Sequence, residues 1–177
     1  MSREVVVAVT RRLIVRQLDA GDRTDMLEIY GDRDAMRWVG DGDVLTETDC
    51  DRWIAITAEN YRRRGYGMFA MADRIAPDRI VGFIGLVHPD GQPEAEVKYA
   101  LGRAWWGRGL ATEAVTAVVR YGFADRGQTR IIATTAPENA ASHRVLRKAG
   151  FRDARPRTHP DGTWDRVFVI DWPGREA

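Results

Sequence analysis

Cysteine is nearly missing from this chain: Cys50 is the single one in 177 residues. It cannot form an internal disulfide, and no cysteine cluster exists to hold a metal. Asp49 and Asp51 flank it, and their charges oppose a thiolate, so it makes a poor nucleophile. Histidine is scarce as well. His88, His143 and His159 lack the spacing with carboxylates that marks a metal site, so none is expected. Lysine occurs only as Lys98 and Lys148, and arginine supplies the remaining positive charge. The 27 basic and 26 acidic residues nearly cancel. That balance gives no global field to gather nucleic acid. No apolar run approaches the ~18 residues of a membrane helix. The largely apolar run over residues 4–9 is too short for a secretory signal, and no small-residue cleavage pattern follows it. The expectation is a cytoplasmic globular protein, monomer or homodimer, with no nucleic-acid or membrane partner.

What is present reads as one domain of alternating elements. Leu13-Ile14-Val15-Arg16-Gln17-Leu18 alternates as a first strand. A short helix follows, capped by Asp22 or Thr24 and carrying Met26, Leu27, Ile29 and Tyr30. Residues 31–44 read as a polar connection. Thr46 and Asp49 form a capping box before a helix that stops near Gly65. Strands are predicted over 66–74, 80–87 and 94–101, then a helix over 109–125 and a strand over 130–136. A helix over 138–149 and strands over 151–157 and 164–172 complete the order. Hairpins mixed with crossovers imply an α+β sandwich: a mixed, mostly antiparallel sheet of about seven strands with helices on both faces.

The most informative passage is Trp105-Trp106-Gly107-Arg108-Gly109-Leu110-Ala111-Thr112-Glu113-Ala114, a glycine-spaced turn that runs into an amphipathic helix. The first N–H groups of a helix lack intrahelical acceptors, and the peptide dipoles leave that end partly positive. Glycines let the main chain approach a ligand and adopt dihedrals closed to other residues. The combination is a cradle for phosphate oxygens. It is not a P-loop, because Gly-Lys-Ser/Thr is missing at the helix start. Nor is it a dinucleotide fingerprint, since Thr112 occupies the place of the third glycine or alanine.

Four passages together carry a family resemblance: Arg11-Arg12-Leu13-Ile14-Val15-Arg16, residues 96–114, Pro137-Glu138-Asn139 with Ser142, and Lys148-Ala149-Gly150-Phe151. In order and spacing, over about residues 10–172, the chain resembles the GNAT superfamily of acetyl-CoA-dependent N-acetyltransferases. More narrowly it is similar to the ribosomal-protein-alanine (RimJ/RimL-type) branch. The resemblance implies a single domain over 10–172 with a splayed central strand pair, and acetyl-CoA as cosubstrate without a metal. Trp106, Gly107, Arg108, Gly109, Leu110, Ala111 and Thr112 would hold the CoA pyrophosphate, chiefly through main-chain N–H groups. The backbone of Tyr99, Ala100 and Leu101 would pair with the pantetheine arm as an added strand does. Asn139 would contact pantetheine or substrate, or simply cap its helix. Many members place a tyrosine acid on that helix; here the position is Leu146, so Ser142 is the candidate donor to the leaving thiolate.

The implied reaction is attack of a neutral amine on the thioester. A backbone N–H near Leu101 would stabilise the oxyanion, and a carboxylate or histidine would remove the proton. Glu96 reads either as that base or as a solvated or salt-bridged strand residue, on the same face as Lys98 and Ala100. His88 is the second candidate. Lys98 is expected to point to solvent, or else to alter substrate choice near the acceptor channel; His143 is expected to lie at the helix surface or in packing, and Glu113 to be a structural partner. The acceptor would sit near Trp38, His88 and Trp164. It would be a protein N-terminus or a small-molecule amine, antibiotics included. A catalytically silent CoA-binding module is the alternative of another class.

Overall fold

The computed structural model describes residues 5–174. Its elements run β1 (Val6–Val9), β2 (Leu13–Gln17), α1 (Arg23–Tyr30), α2 (Arg33–Met36), α3 (Glu47–Arg64), β3 (Met68–Asp73), β4 (Ile80–Val87) and β5 (Ala95–Leu101). They continue with α4 (Leu110–Arg126), β6 (Arg130–Thr135), α5 (Ala140–Lys148), β7 (Arg152–Asp153), β8 (Arg157–Thr158) and β9 (Trp164–Asp171). Among the described residues the strands form one sheet in the order β1-β2-β3-β4-β5-β6-β9-β7, with β8 on β9. Every pairing is antiparallel except β5 with β6. No helix among them is long and apolar enough to cross a membrane.

Period-two alternation sorts the side chains onto two cores. Phe69, Met71, Ile84, Val97 and Leu101 face Ala114, Val115 and Val118 of α4. Ala70, Ala72, Phe83 and Ala100 face Met26, Ile29 and Tyr30 of α1. Helices therefore cover both faces, and β4 is buried nearly end to end, as a strand covered on both sides must be. The predicted capping box opens α3: Thr46 Oγ1 accepts from Asp49 N at 3.2 Å, and the Asp49 carboxylate accepts from Thr46 N at 3.0 Å. Gly65 ends that helix in the left-handed region at φ 78°.

Four local readings change. Strand β1 lies in the apolar stretch that had no strand assigned, where a bulge between Val6 and Ala8 breaks the alternation. The short helix α2 occupies part of the connection over 31–44, capped by the Asp32 carboxylate on Asp34 N and Ala35 N. The strand expected over 151–157 divides into β7 and β8 around Pro156, which has no N–H for a ladder. Asp22 stands at the N-cap of α1 without capping it. Its carboxylate instead accepts two bonds from the Arg16 guanidinium, at 2.7 and 2.8 Å, and one from Asp19 N at 2.9 Å.

That Arg16–Asp22 pair, with Asp22 buried and Arg16 partly so, fastens β2 to the start of α1. Removing one partner strands a charge away from water. Asp22→Ala is therefore expected to lower stability by about 3 kcal/mol, read as a fall in the urea midpoint; a midpoint within error of the parent would show that the pair contributes nothing.

Candidate active site

The site starts where two parallel strands separate. Strands β5 and β6 pair only at Ala95↔Ile131 and Glu96↔Ile132. On its other side β5 stays paired with β4 through Leu101. From Val97 onward, then, one edge of β5 faces a gap instead of a neighbour. The Glu96 side chain fills the base of that wedge. It is 0 % exposed, accepts from Thr134 N at 3.2 Å and from Gln92 Nε2 at 3.1 Å, and also receives the Thr134 hydroxyl. Lys98 Nζ lies 2.5 Å from Glu96 and 2.9 Å from Thr134 Oγ1. Burial opposes charge on Glu96, yet Lys98 and Thr134 outweigh it and hold the carboxyl below its ordinary range. Glu96 is salt-bridged here. The Lys98 side chain is half-exposed, with its Nζ bonded to this carboxylate and to Thr134.

The gap opens into a cleft of about 960 Å³ that also receives the start of α4. Gly107 and Gly109 have φ of 71° and 75°, values that favour glycine. Gly109 is the N-cap of α4 and has no side chain to cap with, so the first N–H groups of the helix are left for the cleft. Trp106 folds back, and its indole N–H donates to the Leu101 carbonyl at 2.8 Å, tying the turn to the end of β5. The helix start is tied from the other side by Arg12. Its Nε donates to Glu113 at 2.8 Å, its backbone N–H does the same at 2.8 Å, and another guanidinium N–H reaches the Arg108 carbonyl at 2.8 Å. Thr10 Oγ1 adds a bond to Glu113 at 2.6 Å. Glu113 is the structural partner it was expected to be.

Helix α5 closes the far wall. Asn139 caps it, its Oδ1 accepting from Ser142 N at 3.1 Å, and both residues line the cleft. The Ser142 hydroxyl meets the Tyr99 phenol at 2.6 Å. His143 points the other way: it is buried, bonded through Nε2 to Thr135 Oγ1 at 2.9 Å, and burial holds it below its usual range. Cys50 is buried in α3, and burial, then Asp49 and Asp51, push its thiol up.

The structure brings Tyr99, Ala100, Leu101, Trp106, Gly107, Gly109, Leu110, Ala111, Thr112, Asn139, Ser142 and Trp38 to one cleft. Arg108 is beside it, with its guanidinium over the Trp105 ring. His88 and Trp164 are not brought there. The His88 ring is held by the Tyr66 hydroxyl at 2.8 Å and the Gln92 carbonyl at 2.9 Å. Trp164 pairs across the β8–β9 ladder with Thr158. The sequence reading missed Arg144 and Lys148 at the cleft, one helical turn apart on α5, and Trp53 and Ile56 on α3. The i, i+4 spacing of two cations was the available signal.

Burial raises the Glu113 carboxyl, but Thr10 and Arg12 overcome that and hold it below its ordinary range. A depressed carboxyl contributes stability in full above the unfolded value, about 4.3, and loses it as pH falls through the folded value. Glu113→Gln is expected to lower the urea midpoint at pH 7 and to cost progressively less as pH falls below about 4.3. An equal loss at every pH would show that charge is not what Glu113 supplies.

Comparisons with known proteins agree with this geometry. The family model "Acetyltransferase (GNAT) domain" matches residues 12–152. The N-acetyltransferase YnaD of Bacillus subtilis, itself uncharacterised, is 29% identical over 143 residues, 81% of each chain. The ribosomal protein uS5-alanine N-acetyltransferase of Escherichia coli is 37% identical over 86 residues, 44% of each chain. The fold is that of RimL, the ribosomal L7/L12 α-N-protein acetyltransferase solved with coenzyme A, at a TM-score of 0.79 and 15% identity over 94% of this chain and 97% of that one. The splayed strand, the glycine turn and the matched family model lead to one conclusion: the chain belongs to the GNAT acetyltransferase family.

Proposed function

We propose that the domain over residues 10–172 is an acetyl-CoA-dependent N-acetyltransferase that transfers acetyl directly to a primary amine in a ternary complex. One observation carries the reading: an unpaired strand edge and an uncapped helix N-terminus open into the same cleft. An amide-rich arm ending in a pyrophosphate matches that sequence of surfaces, strand edge first and anion cradle second. The edge of Tyr99, Ala100 and Leu101 would take the arm, and the N–H groups from Arg108 to Thr112 the pyrophosphate. Arg144 and Lys148 supply positive charge on the α5 side.

The acceptor amine would enter from the α1–α3 side, where Trp38 and Ile56 are 40% and 53% exposed beside Trp53 and Asn60. A backbone N–H near Leu101 would face the oxyanion, and Ser142 the leaving sulfur. We infer that Glu96 anchors the splay rather than taking the amine's proton, because its oxygens are already occupied by Thr134, Gln92 and Lys98. An α-amine, with a pKa of about 8, loses its proton to water readily near neutral pH. That favours a protein N-terminus or a small amine of similar basicity, and the E. coli relative is named for N-acetylation of an alanine of ribosomal protein uS5. A single buried thiol suits a reducing cytoplasm.

Two experiments test the reading. Titration calorimetry is expected to show acetyl-CoA binding that Gly109→Asp weakens by well over tenfold, about 1.4 kcal/mol or more, through backbone strain and charge repulsion. Equal affinity would remove the anion cradle. A panel of small amines, antibiotics and alanine-initiated peptides, followed by free-thiol release, then identifies the acceptor; binding with no release for any of them would leave a CoA-binding module. With the acceptor in hand, Glu96→Gln should lower stability yet keep the acidic limb of the pH–rate profile. Loss of that limb would make Glu96 the base.

A further inference from the structure

Tyr99 stands on the α4 face of β5, and its phenol spans the cleft wall to reach α5. The phenol oxygen is 2.6 Å from Ser142 Oγ, and both side chains line the cleft. Ser142 is also fixed at its backbone, whose N–H is held by Asn139. A serine hydroxyl carries one proton and two lone pairs. When it accepts from a phenol, its own proton is free to turn toward a third atom. Burial pushes the Tyr99 hydroxyl up to about 12, with Ser142 drawing it partly back, so the phenol remains a donor through the neutral range. One turn farther along α5, Leu146 is fully buried and offers no polar group.

We propose that Tyr99 is a positioning residue for Ser142: its phenol donates to Ser142 Oγ and so aims the serine proton at the sulfur of the departing CoA. This rests on the reading of the cleft as an acetyl-CoA site. As the amine nitrogen bonds to the acetyl carbon, the C–S bond breaks and its electron pair goes to sulfur. The sulfur receives the Ser142 hydrogen bond. The proton lost by the amine goes to water, the thiolate is protonated from water, and Tyr99 and Ser142 keep their own protons throughout.

A donor aimed at sulfur favours the thiolate of bound product CoA over its thiol, which can be measured without knowing the acceptor. Calorimetry compares CoA with desulfo-CoA across pH in the parent, Tyr99→Phe, Ser142→Ala and the double variant. In the parent, the affinity of CoA relative to desulfo-CoA should rise toward about tenfold above the pKa of the free thiol, the equivalent of one pKa unit. Each single variant should flatten that rise, and the double variant should do no more than either one. A parent ratio that stays flat, or a Tyr99→Phe ratio that still rises, overturns the proposal. So does a Tyr99→Phe protein that loses affinity for both ligands equally, since that is loosened packing and not aim. Tyr99→Leu serves for the same readings if the phenylalanine variant does not fold. Failure of the parent to bind either ligand would instead bring down the acetyl-CoA reading itself.

Discussion

Every feature of the cleft depends on one interruption: the parallel ladder between β5 and β6 stops after two residue pairs. A strand edge that leaves its partner exposes N–H and C=O groups that need hydrogen bonds. The chain meets part of that demand internally. The Glu96 carboxylate takes the Thr134 N–H that a continued ladder would have bonded, and Lys98 balances the charge thus buried. On its outer side β6 remains fully paired with β9, so the separation is confined to one seam. The edge of β5 beyond Val97 stays open because it borders the cleft. Burying the Glu96 carboxylate costs desolvation free energy; half-exposed Lys98 beside it and Thr134 across the seam offset that cost.

The second constraint is the placement of the α4 N-terminus against that seam. A glycine turn alone would be loose, since residues in the left-handed region gain nothing from side-chain packing. One contact from a distant part of the chain and one from the adjoining strand restrain it. Arg12 joins the β1–β2 turn to Glu113 and to the Arg108 carbonyl, and Trp106 joins the turn to the last carbonyl of β5. Glu113 gains twice from its place in the first turn, from Arg12 and from the positive end of the helix dipole. These contacts tie the turn at both ends, with its N–H groups directed into the cleft.

Much of this was legible in the residues. Gly107 and Gly109 announced left-handed backbone, the Thr46–Asp49 box announced the start of α3, and the alternation over β5 placed Glu96 with Lys98 and Ala100 on one face. The order of elements implied the mixed sheet. Pairings between remote residues were less accessible. Nothing local to Lys98 says that Thr134 will lie beside it, and nothing local to Tyr99 announces Ser142. His88 and Trp164 were expected near the acceptor; the fold bonds the His88 ring to Tyr66 and pairs Trp164 with Thr158, partners that neither residue's neighbours in sequence announce. Strand β1 escaped notice because its bulge spoils the alternation by which half-buried strands are recognised.

The placement of Lys98 has a consequence for an enzyme of this chemistry. Acetyl transfer needs a nitrogen with a free lone pair, and a lysine lining the transfer cleft is the nearest amine in the molecule. Here that nitrogen is held between a buried carboxylate and a threonine hydroxyl. Held so, it is tied to the base of the wedge instead of extending along the cleft. Lys148, the only other lysine in the chain, lines the same cleft from α5, so the scarcity of lysine leaves few side-chain amines within reach of the reaction.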